Sequence, residues 1–356
     1  MIKEIEIEGL NGRMSPIQFI FNEDINLFTG KNGCGKTTIL KLMWFIQSGR
    51  IENLLKEISF SHISCTFTYK ERDTKIDINR TEKKKEEVFL LKVNNDTVQI
   101  PVNEIKKNVR DFYFSKNIEL SRFFISQNLS GETSLFFPTF RRIEGGFGIE
   151  EFRGFGGSFL SELSEKLSDR NHRFVSSIST DDILDLVNGE YAKRSEVINS
   201  EQQQNYKKIE KILNGDTVDQ DELRRYVKEG EKLRTEQLKP FDVLTELTKK
   251  FFLNKGIDMR ILKLGDVNHA ISSDKLSSGE KQMLSFLCYN TFSQNTSIYI
   301  DEPELSLHPD WQRMLIPAVL SSNNNNQFFI ATHSPFIYTK YPDKEFCLDE
   351  DKGGNL

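Results

Sequence analysis

The fold of this chain is decided near its N-terminus by a glycine-rich stretch, Gly30-Lys31-Asn32-Gly33-Cys34-Gly35-Lys36-Thr37-Thr38. An apolar run at 25–28 precedes it, and apolar residues at helical spacing follow it from Ile39 to Ile46. Strand, glycine loop and helix occur in the order that the pattern G-x-x-x-x-G-K-[ST] requires, because loop amides and the positive end of the helix together bind phosphate oxygens. We therefore predict a phosphate-binding P-loop at 30–38.

Each position of this loop has a predicted part in holding ATP and Mg²⁺. Lys36 supplies a point charge to the β- and γ-phosphates, and Thr37 supplies a hydroxyl to the metal ion. The other predicted nucleotide-binding positions of the loop are Gly30, Asn32, Gly33, Cys34, Gly35 and Thr38.

A second apolar run, 297–300, ends in two acidic residues, Asp301 and Glu302. A carboxylate at the end of a buried strand is costly unless a cation or hydrogen-bond donors compensate it. Asp301 is suited to hold Mg²⁺ together with Thr37, often through water. Glu302 is placed to polarise the attacking water as a catalytic base.

The stretch Leu276-Ser277-Ser278-Gly279-Glu280 precedes a helix-like run from Met283 to Tyr289. Ser277 with Glu280 three residues later forms a capping-box pattern, which by itself explains the sequence. An exposed helix start with Ser277, Ser278 and Gly279 also suits the γ-phosphate of a nucleotide. The two interpretations are compatible.

His333 lies in Thr332-His333-Ser334, which follows the apolar strand at 328–330. A lone histidine usually has a structural role. This one is placed where a strand ends beside the P-loop sheet, so we predict that it hydrogen-bonds the γ-phosphate and takes part in catalysis.

Composition excludes several classes of protein. The 356 residues are 37% hydrophobic and 28% charged, which is enough apolar material for a folded core and excludes a wholly disordered chain. A net charge of −5 excludes a protein that binds nucleic acid by overall charge, so such contact would need a local patch. The four cysteines form no CxxC pair, which argues against a disulfide scaffold or a zinc site.

Hydropathy predicts a cytoplasmic protein that does not cross a membrane. The alternating start, 1–6, lacks the apolar run of a signal peptide. No stretch approaches the roughly 18 uncharged apolar residues of a membrane helix.

Patterning along the chain predicts three regions: the N-terminal half of the P-loop domain at 1–145, a helical insert at 146–264, and the C-terminal half at 265–356. Short strands joined by hairpins occupy 58–100, and a mobile loop rich in Gly and Phe occupies 145–157. The charged middle predicts helices at about 158–168, 180–213, 219–236 and 240–253.

The motifs together resemble those of ABC-type ATPases. The P-loop, LSSGE, the Asp301-Glu302 strand end, Ser306-Leu307-His308-Pro309 and Thr332-His333-Ser334 occur in the order of that family. Details of 302–309 resemble the SMC, RecF and OLD group, and 137–144 resembles a segment of bacterial defence ATPases. The resemblance implies an α/β ATPase head with a mixed core sheet, an antiparallel β subdomain and a helical insert lobe.

The resemblance also implies a mechanism. Two subunits would sandwich two ATP molecules head to tail, and Ser277 and Gly279 of one subunit would reach the ATP held by the other. His308 and Asp310 would lie in or beside the D-loop, and His333 would be the switch histidine. Gln127 is one candidate for the glutamine loop, although it comes before the apolar run that ends at Phe137.

Three functions stay open at the level of sequence. The first is an OLD-like or Septu-like defence ATPase that controls a separate effector, often a nuclease, because the chain stops soon after His333 and leaves no room for a Toprim domain. The second is a RecF-like repair ATPase that binds nucleic acid directly. The third and weakest is a transporter subunit, because of the helical insert and the Ser306-Leu307-His308-Pro309 segment. Ser278 and Glu280 also stand where transporters usually have Gly and Gln.

Two further hypotheses concern positions outside these motifs. Arg141 and Arg142 follow an apolar strand and a proline turn, where long cations could reach nucleotide, nucleic acid or an acidic partner surface. The helical segment 158–255 is not needed for phosphate chemistry, so we expect it to recognise the partner or trigger.

Overall fold

The computed structural model describes residues 1–69, 72–83, 86–102, 116–129, 131–139, 167–169, 171–175, 180–214, 220–252 and 276–349. The chain divides into two compact units. The first unit comprises Met1–Ser177, Asn295–Leu305 and Asn325–Leu356, and the second comprises Ile178–Gln294 and Ser306–Asn324. These bounds do not coincide with the three regions that the sequence pattern predicts.

The strands found in the described residues all belong to the first unit. In chain order they are β1 (Ile2–Glu8), β2 (Ile17–Ile20), β3 (Ile25–Thr29), β4 (His62–Tyr69), β5 (Arg72–Lys83), β6 (Glu86–Val93), β7 (Asp96–Pro101), β8 (Thr133–Phe137), β9 (His172–Phe174), β10 (Thr296–Asp301), β11 (Gln327–Ala331) and β12 (Glu345–Cys347).

The helices are shared between the two units. They are α1 (Lys36–Gln47), α2 (Ile51–Glu57), α3 (Lys116–Asn128), α4 (Thr180–Leu213), α5 (Gln220–Phe251), α6 (Ser278–Phe292), α7 (Pro309–Leu320) and α8 (Pro335–Tyr338). The second unit contains α4 to α7, and the first contains the others.

One sheet of the first unit has the strand order β12-β3-β11-β10-β8-β9. Every residue of β3, β10 and β11 is buried, as expected for strands covered on both faces. The predicted core sheet was mixed, whereas all of its described pairings are parallel. The mixed-sheet prediction is corrected because the chain returns to the same edge of the sheet before each of these strands; between β3 and β8 it does so through helices and the whole antiparallel sheet.

The other sheet is antiparallel and has the order β2-β1-β4-β5-β6-β7. Its strands confirm the predicted hairpins of 58–100. On β1 the residues Ile5 and Ile7 are buried while Glu4 and Glu8 are exposed, so alternation over this part of the strand sets which face meets the core. The predicted antiparallel β subdomain is therefore present.

Aromatic side chains join α1 to the parallel sheet. Phe136, Tyr299 and Phe329 stack across β8, β10 and β11, with ring centroids 6.1 Å and 5.1 Å apart. The Trp44 ring of α1 lies 5.3 Å from that of Phe136. These large buried rings fix the helix that follows the P-loop against the strand that ends at Asp301.

A buried polar contact supports the same arrangement. Gln47, the last residue of α1, accepts a hydrogen bond from the Tyr299 hydroxyl at 2.7 Å and donates to Ser297 at 3.0 Å and to Glu132 at 2.9 Å. Because these groups are buried, each needs its partner, and the network specifies one position of α1 relative to β10.

The second unit contains the long helices α4 and α5. The sequence predicts a break between 236 and 240, but α5 is one helix with Pro240 inside it. Proline removes one backbone hydrogen bond, yet Phe241, Leu244 and Leu247 are buried just beyond it. The Phe241 ring lies 5.1 Å from that of Phe292 on α6, so burial of this apolar face outweighs the local penalty.

Three predicted features fall outside the described residues: most of the helix at 158–168, the loop at 145–157, and Arg141 with Arg142. Among the residues that are described, no helix is long and apolar enough to cross a membrane.

Candidate functional site

The P-loop joins β3 to α1 and has the backbone that its glycines allow. Gly30, Gly33 and Gly35 have φ values of 133°, 83° and 101°. Residues other than glycine rarely adopt these φ values, so the spacing of the glycines determines the shape of the loop. α1 begins directly after it at Lys36, which places the N-terminal end of a helix at the loop.

Lys36 lies folded over the P-loop. Its ammonium donates hydrogen bonds to the backbone carbonyls of Gly30 and Lys31, both at 3.1 Å, and it is 5% exposed. Asp349 holds the start of the same loop, because both carboxylate oxygens accept from the Lys31 amide, at 2.8 and 2.9 Å. No sequence motif marked Asp349.

Asp301 and Thr37 meet at the carboxyl end of the parallel sheet. The Thr37 hydroxyl donates to Asp301 at 2.9 Å from Oδ1 and 3.1 Å from Oδ2. Burial raises the pKa of Asp301, while hydrogen bonds from Thr139 and Thr37 act in the opposite direction. The hydroxyl and carboxylate oxygens are donors of the kind that Mg²⁺ prefers, so the residues present fit this ion.

Thr139 is a site residue that the motifs did not predict. It lies two residues beyond β8, and its hydroxyl donates to Oδ2 of Asp301 at 2.5 Å. Its position after an apolar strand is visible in the sequence, but the sequence alone does not show that β8 pairs with β10 and so brings Thr139 to Asp301.

Gln127, the candidate for the glutamine loop, is exposed on α3.

Glu302 has a strained backbone at the end of β10. Its φ is 47°, in the left-handed region, and its amide donates to the Ala331 carbonyl at 2.9 Å. Its carboxylate lies 3.8 Å from Nε2 of His333. Such strain persists only where the surroundings hold it, and it is enriched at functional sites.

Glu304 joins the two strand ends that carry Glu302 and His333. Its carboxylate accepts hydrogen bonds from the Thr332 hydroxyl at 2.9 Å and from the His333 amide at 2.5 Å. Glu304 lies within the 302–309 segment, but the resemblance of that segment to the SMC, RecF and OLD group assigns it no role.

The residues predicted to reach the ATP of a second subunit belong to the second unit, at the start of α6: Ser277, Ser278 and Gly279. Ser277 caps this helix: its hydroxyl accepts from the Glu280 amide at 3.3 Å, and the Glu280 carboxylate accepts from the Ser277 amide at 2.7 Å. The predicted capping box is confirmed. Ser277 is exposed and Ser278 is partly exposed.

Gly279 has a steric requirement within the same unit. A Cβ atom at this position would lie 2.1 Å from the backbone oxygen of Ser306. Only glycine allows this approach, so the start of α6 packs closely against the start of the 306–310 segment. His308 then caps α7 by accepting a hydrogen bond from the Asp310 amide at 3.3 Å.

The structure thus brings Lys36, Thr37, Asp301, Glu302 and His333 to one edge of the parallel sheet in the first unit, and places Ser277, Ser278 and Gly279 at a helix start in the second. A P-loop at the carboxyl end of a parallel sheet, with two acids at the end of another strand of the same sheet, defines a P-loop nucleotide-binding protein.

The family follows from comparison with known sequences. Residues 25–338 match the family described as "AAA domain, putative AbiEii toxin, Type IV TA system". This match spans most of the chain, and the chain belongs to that family.

Curated relatives share further similarity. The "Retron Vc95 probable ATPase" of Vibrio cholerae serotype O1 biovar El Tor is 22% identical over 94% of this chain and 71% of its own length. "Septu protein PtuA" of Bacillus thuringiensis is 37% identical over 19% of this chain and 17% of its own. "Retron Ec83 probable ATPase" of Escherichia coli is 32% identical over 20% and 15%. The predicted resemblance to Septu-like defence ATPases is confirmed.

Solved structures with some similarity include two SMC heads. One, bound to the C-terminal winged-helix domain of ScpA, has a TM-score of 0.43 at 12% identity and covers 95% of this chain and 91% of that chain. The head domain from Thermotoga maritima has a TM-score of 0.38 at 10% identity, with the same coverage.

Proposed function

We propose that this chain binds ATP with Mg²⁺ and hydrolyses it to ADP and phosphate. The observation that carries the proposal is the hydrogen bond between Thr37 and Asp301, which joins the start of the P-loop helix to the acidic end of β10. Hydroxyl and carboxylate oxygens meet where the loop amides and Lys36 would bind phosphates. The family assignment and the relatives named as ATPases support the same activity.

Each side chain then has a distinct task. Lys36 neutralises charge on the phosphates, and its present contacts with loop carbonyls are ones that it can exchange for phosphate oxygens. Thr37 and Asp301 would hold Mg²⁺, which supplies charge neutralisation to the phosphates. Glu302 accepts the proton of the attacking water, and His333 contacts the γ-phosphate from the neighbouring strand end.

Two substitutions test the ATPase. Lys36→Ala should weaken binding of a fluorescent ATP analogue by tenfold or more, because a charge-assisted contact is lost. Glu302→Gln should bind the analogue like the wild type but lose at least about 100-fold in kcat, the usual order for a general base. Equilibrium fluorescence and phosphate release measure the two effects separately.

Lys3→Ala is the control for Lys36→Ala. Lys3 lies on β1 of the same unit, is exposed, and has its ammonium 2.9 Å from Asp73 in a surface ion pair, which contributes little to stability. Analogue binding and kcat of Lys3→Ala should both match the wild type. If Glu302→Gln hydrolyses ATP at the wild-type rate, Glu302 is not the base.

We also propose a regulatory role for the hydrolysis cycle. ATP would close a head-to-tail dimer in which Ser277, Ser278 and Gly279 of each subunit contact the ATP of the other, and this closure would control a separate effector, with a nuclease as the main candidate. The exposed Ser277 at a capped helix start and the retron and Septu relatives support this role in cytoplasmic anti-phage defence.

The RecF-like alternative makes a different prediction. A repair ATPase that binds DNA directly should hydrolyse ATP faster when duplex DNA is added to the purified chain. An effector-controlling ATPase should respond instead to the protein encoded beside it.

A further inference from the structure

The end of β8 places a hydroxyl on the predicted metal-binding carboxylate. β8 and β10 are parallel neighbours, with Phe137 opposite Ile300, so the residues that follow both strands emerge at the same edge. Thr139 and Asp301 therefore meet, and the Thr139 hydroxyl donates to Oδ2 of Asp301.

Asp301 is consequently held from two sides. Thr37 approaches from the start of α1 and donates to the carboxylate, and Thr139 approaches from the strand end on the other flank of β10. Asp301 itself is 3% exposed. A buried carboxylate with two hydroxyl donors has a defined rotamer, because rotation would leave its oxygens without partners.

We propose that Thr139 is a positioning residue of the Mg²⁺–nucleotide site, and this inference rests on the ATPase function proposed above. The hydroxyl of Thr139 fixes the Asp301 carboxylate in the orientation that meets Thr37, so that the metal site is formed before the nucleotide arrives. It acts through Asp301 and needs no contact with phosphate. Pre-organisation of this kind lowers the cost of binding the ion.

The experiment compares Thr139→Val, which has nearly the same shape but no hydroxyl, with Thr139→Ser, which keeps the hydroxyl. A fluorescent, non-hydrolysable ATP analogue is titrated first in EDTA and then at rising Mg²⁺ concentrations. Thr139→Val should leave the affinity for the analogue in EDTA unchanged. The Mg²⁺ concentration that gives half of the maximal increase in analogue affinity should rise about tenfold, the factor expected for a lost hydrogen bond to a charged group. Thr139→Ser should return this Mg²⁺ concentration to the wild-type value.

The chain offers a matched control at the other end of the same strand pair. Thr133, at the start of β8, shares a hydrogen bond of 2.7 Å with Thr296, at the start of β10. Thr133→Val removes a hydroxyl contact between the same two strands at the opposite sheet edge. It should lower the thermal midpoint about as much as Thr139→Val does, but leave the Mg²⁺ requirement at the wild-type value.

The outcomes separate this inference from the proposed function. If the wild type fails to bind the analogue at any Mg²⁺ concentration, the ATPase proposal fails. If the wild type binds with a clear Mg²⁺ requirement and Thr139→Val shows the same requirement, or a lower one, Thr139 does not position the site. Equal increases in Thr139→Val and Thr133→Val would assign both threonines to sheet stability alone. Binding of Mn²⁺, followed by electron paramagnetic resonance in the presence of the analogue, gives a second readout independent of turnover.

Discussion

At the scale of single residues, the site includes side chains to which the sequence motifs assign no role. Glu304 receives the Thr332 hydroxyl and the His333 amide, and so connects the loop after β10 to the loop after β11. Nε2 of His333 on the second of these loops lies 3.8 Å from the carboxylate of Glu302 on the first. We expect Glu304 to position the histidine through this connection.

Glu304→Ala should lower kcat about tenfold with little change in KM, because two hydrogen bonds to a carboxylate are lost while the P-loop is untouched. Glu304→Gln keeps one acceptor and should recover part of the rate. Steady-state phosphate release measures both, and thermal unfolding reports whether the variants are folded.

A double-mutant cycle separates positioning from general stability. If Glu304 acts through His333, adding Glu304→Ala to His333→Ala should cause little further loss of kcat. Additive losses would show that Glu304 acts by another route.

At the scale of elements, a buried histidine between two paired strands makes the stability of the sheet depend on pH. His172 on β9 lies opposite Ser134 on β8, and its Nδ1 shares a hydrogen bond of 2.8 Å with the Ser134 hydroxyl. Burial lowers the pKa of His172 to about 4, with Asp169 opposing this shift and Arg50 adding to it. The imidazole is therefore neutral in the folded chain at neutral pH.

This lowered pKa predicts a loss of stability in mild acid. In the unfolded chain the histidine pKa is about 6.5, so between that value and about pH 4 the unfolded chain binds more protons. The free energy of unfolding should fall as pH falls through this range, by up to about 3 kcal/mol. Denaturant unfolding at several pH values measures it.

His172→Asn provides the comparison, since the amide can still pair with Ser134 but does not titrate in this range. The variant should lose less stability than the wild type between pH 6.5 and 4, whatever its stability at pH 7. Parallel pH curves for the two proteins would contradict the assigned cause.

At the scale of the whole molecule, the proposed cycle predicts a change of mass. Glu302→Gln with ATP and Mg²⁺ should have about twice the mass that it has without nucleotide, because binding closes two heads but hydrolysis cannot release them. Light scattering measures the mass directly. A permanent dimer that closes internally would keep a constant mass, and its closure would need a distance measurement.

Ser277→Arg in the same background should block this association through bulk and charge at the exposed start of α6. Ser277→Ala is the matched control, because it also removes the capping hydroxyl but adds no bulk. The loss of this cap should lower the free energy of unfolding by about 1 kcal/mol in both variants. Closure that survives Ser277→Arg would remove Ser277 from the proposed interface.

The sequence by itself determined the parts that depend on short-range order. The P-loop follows from the spacing of its glycines, because the required φ values are a property of each residue. The capping box at Ser277 depends on a three-residue spacing, and the alternation of 2–8 gave β1. Asp301, Glu302 and His333 were predicted as site residues because each lies at or soon after the end of an apolar run.

Only the tertiary structure decided the features that depend on strand order. Thr139 meets Asp301 because β8 pairs with β10, and Asp349 meets Lys31 because β12 pairs with β3. The parallel core sheet is also a matter of strand order. The continuity of α5 through Pro240 depends instead on burial of its apolar face against α6. The physical reason is that these contacts join residues far apart in sequence, and burial of distant apolar faces, which no local pattern encodes, outweighs local preference.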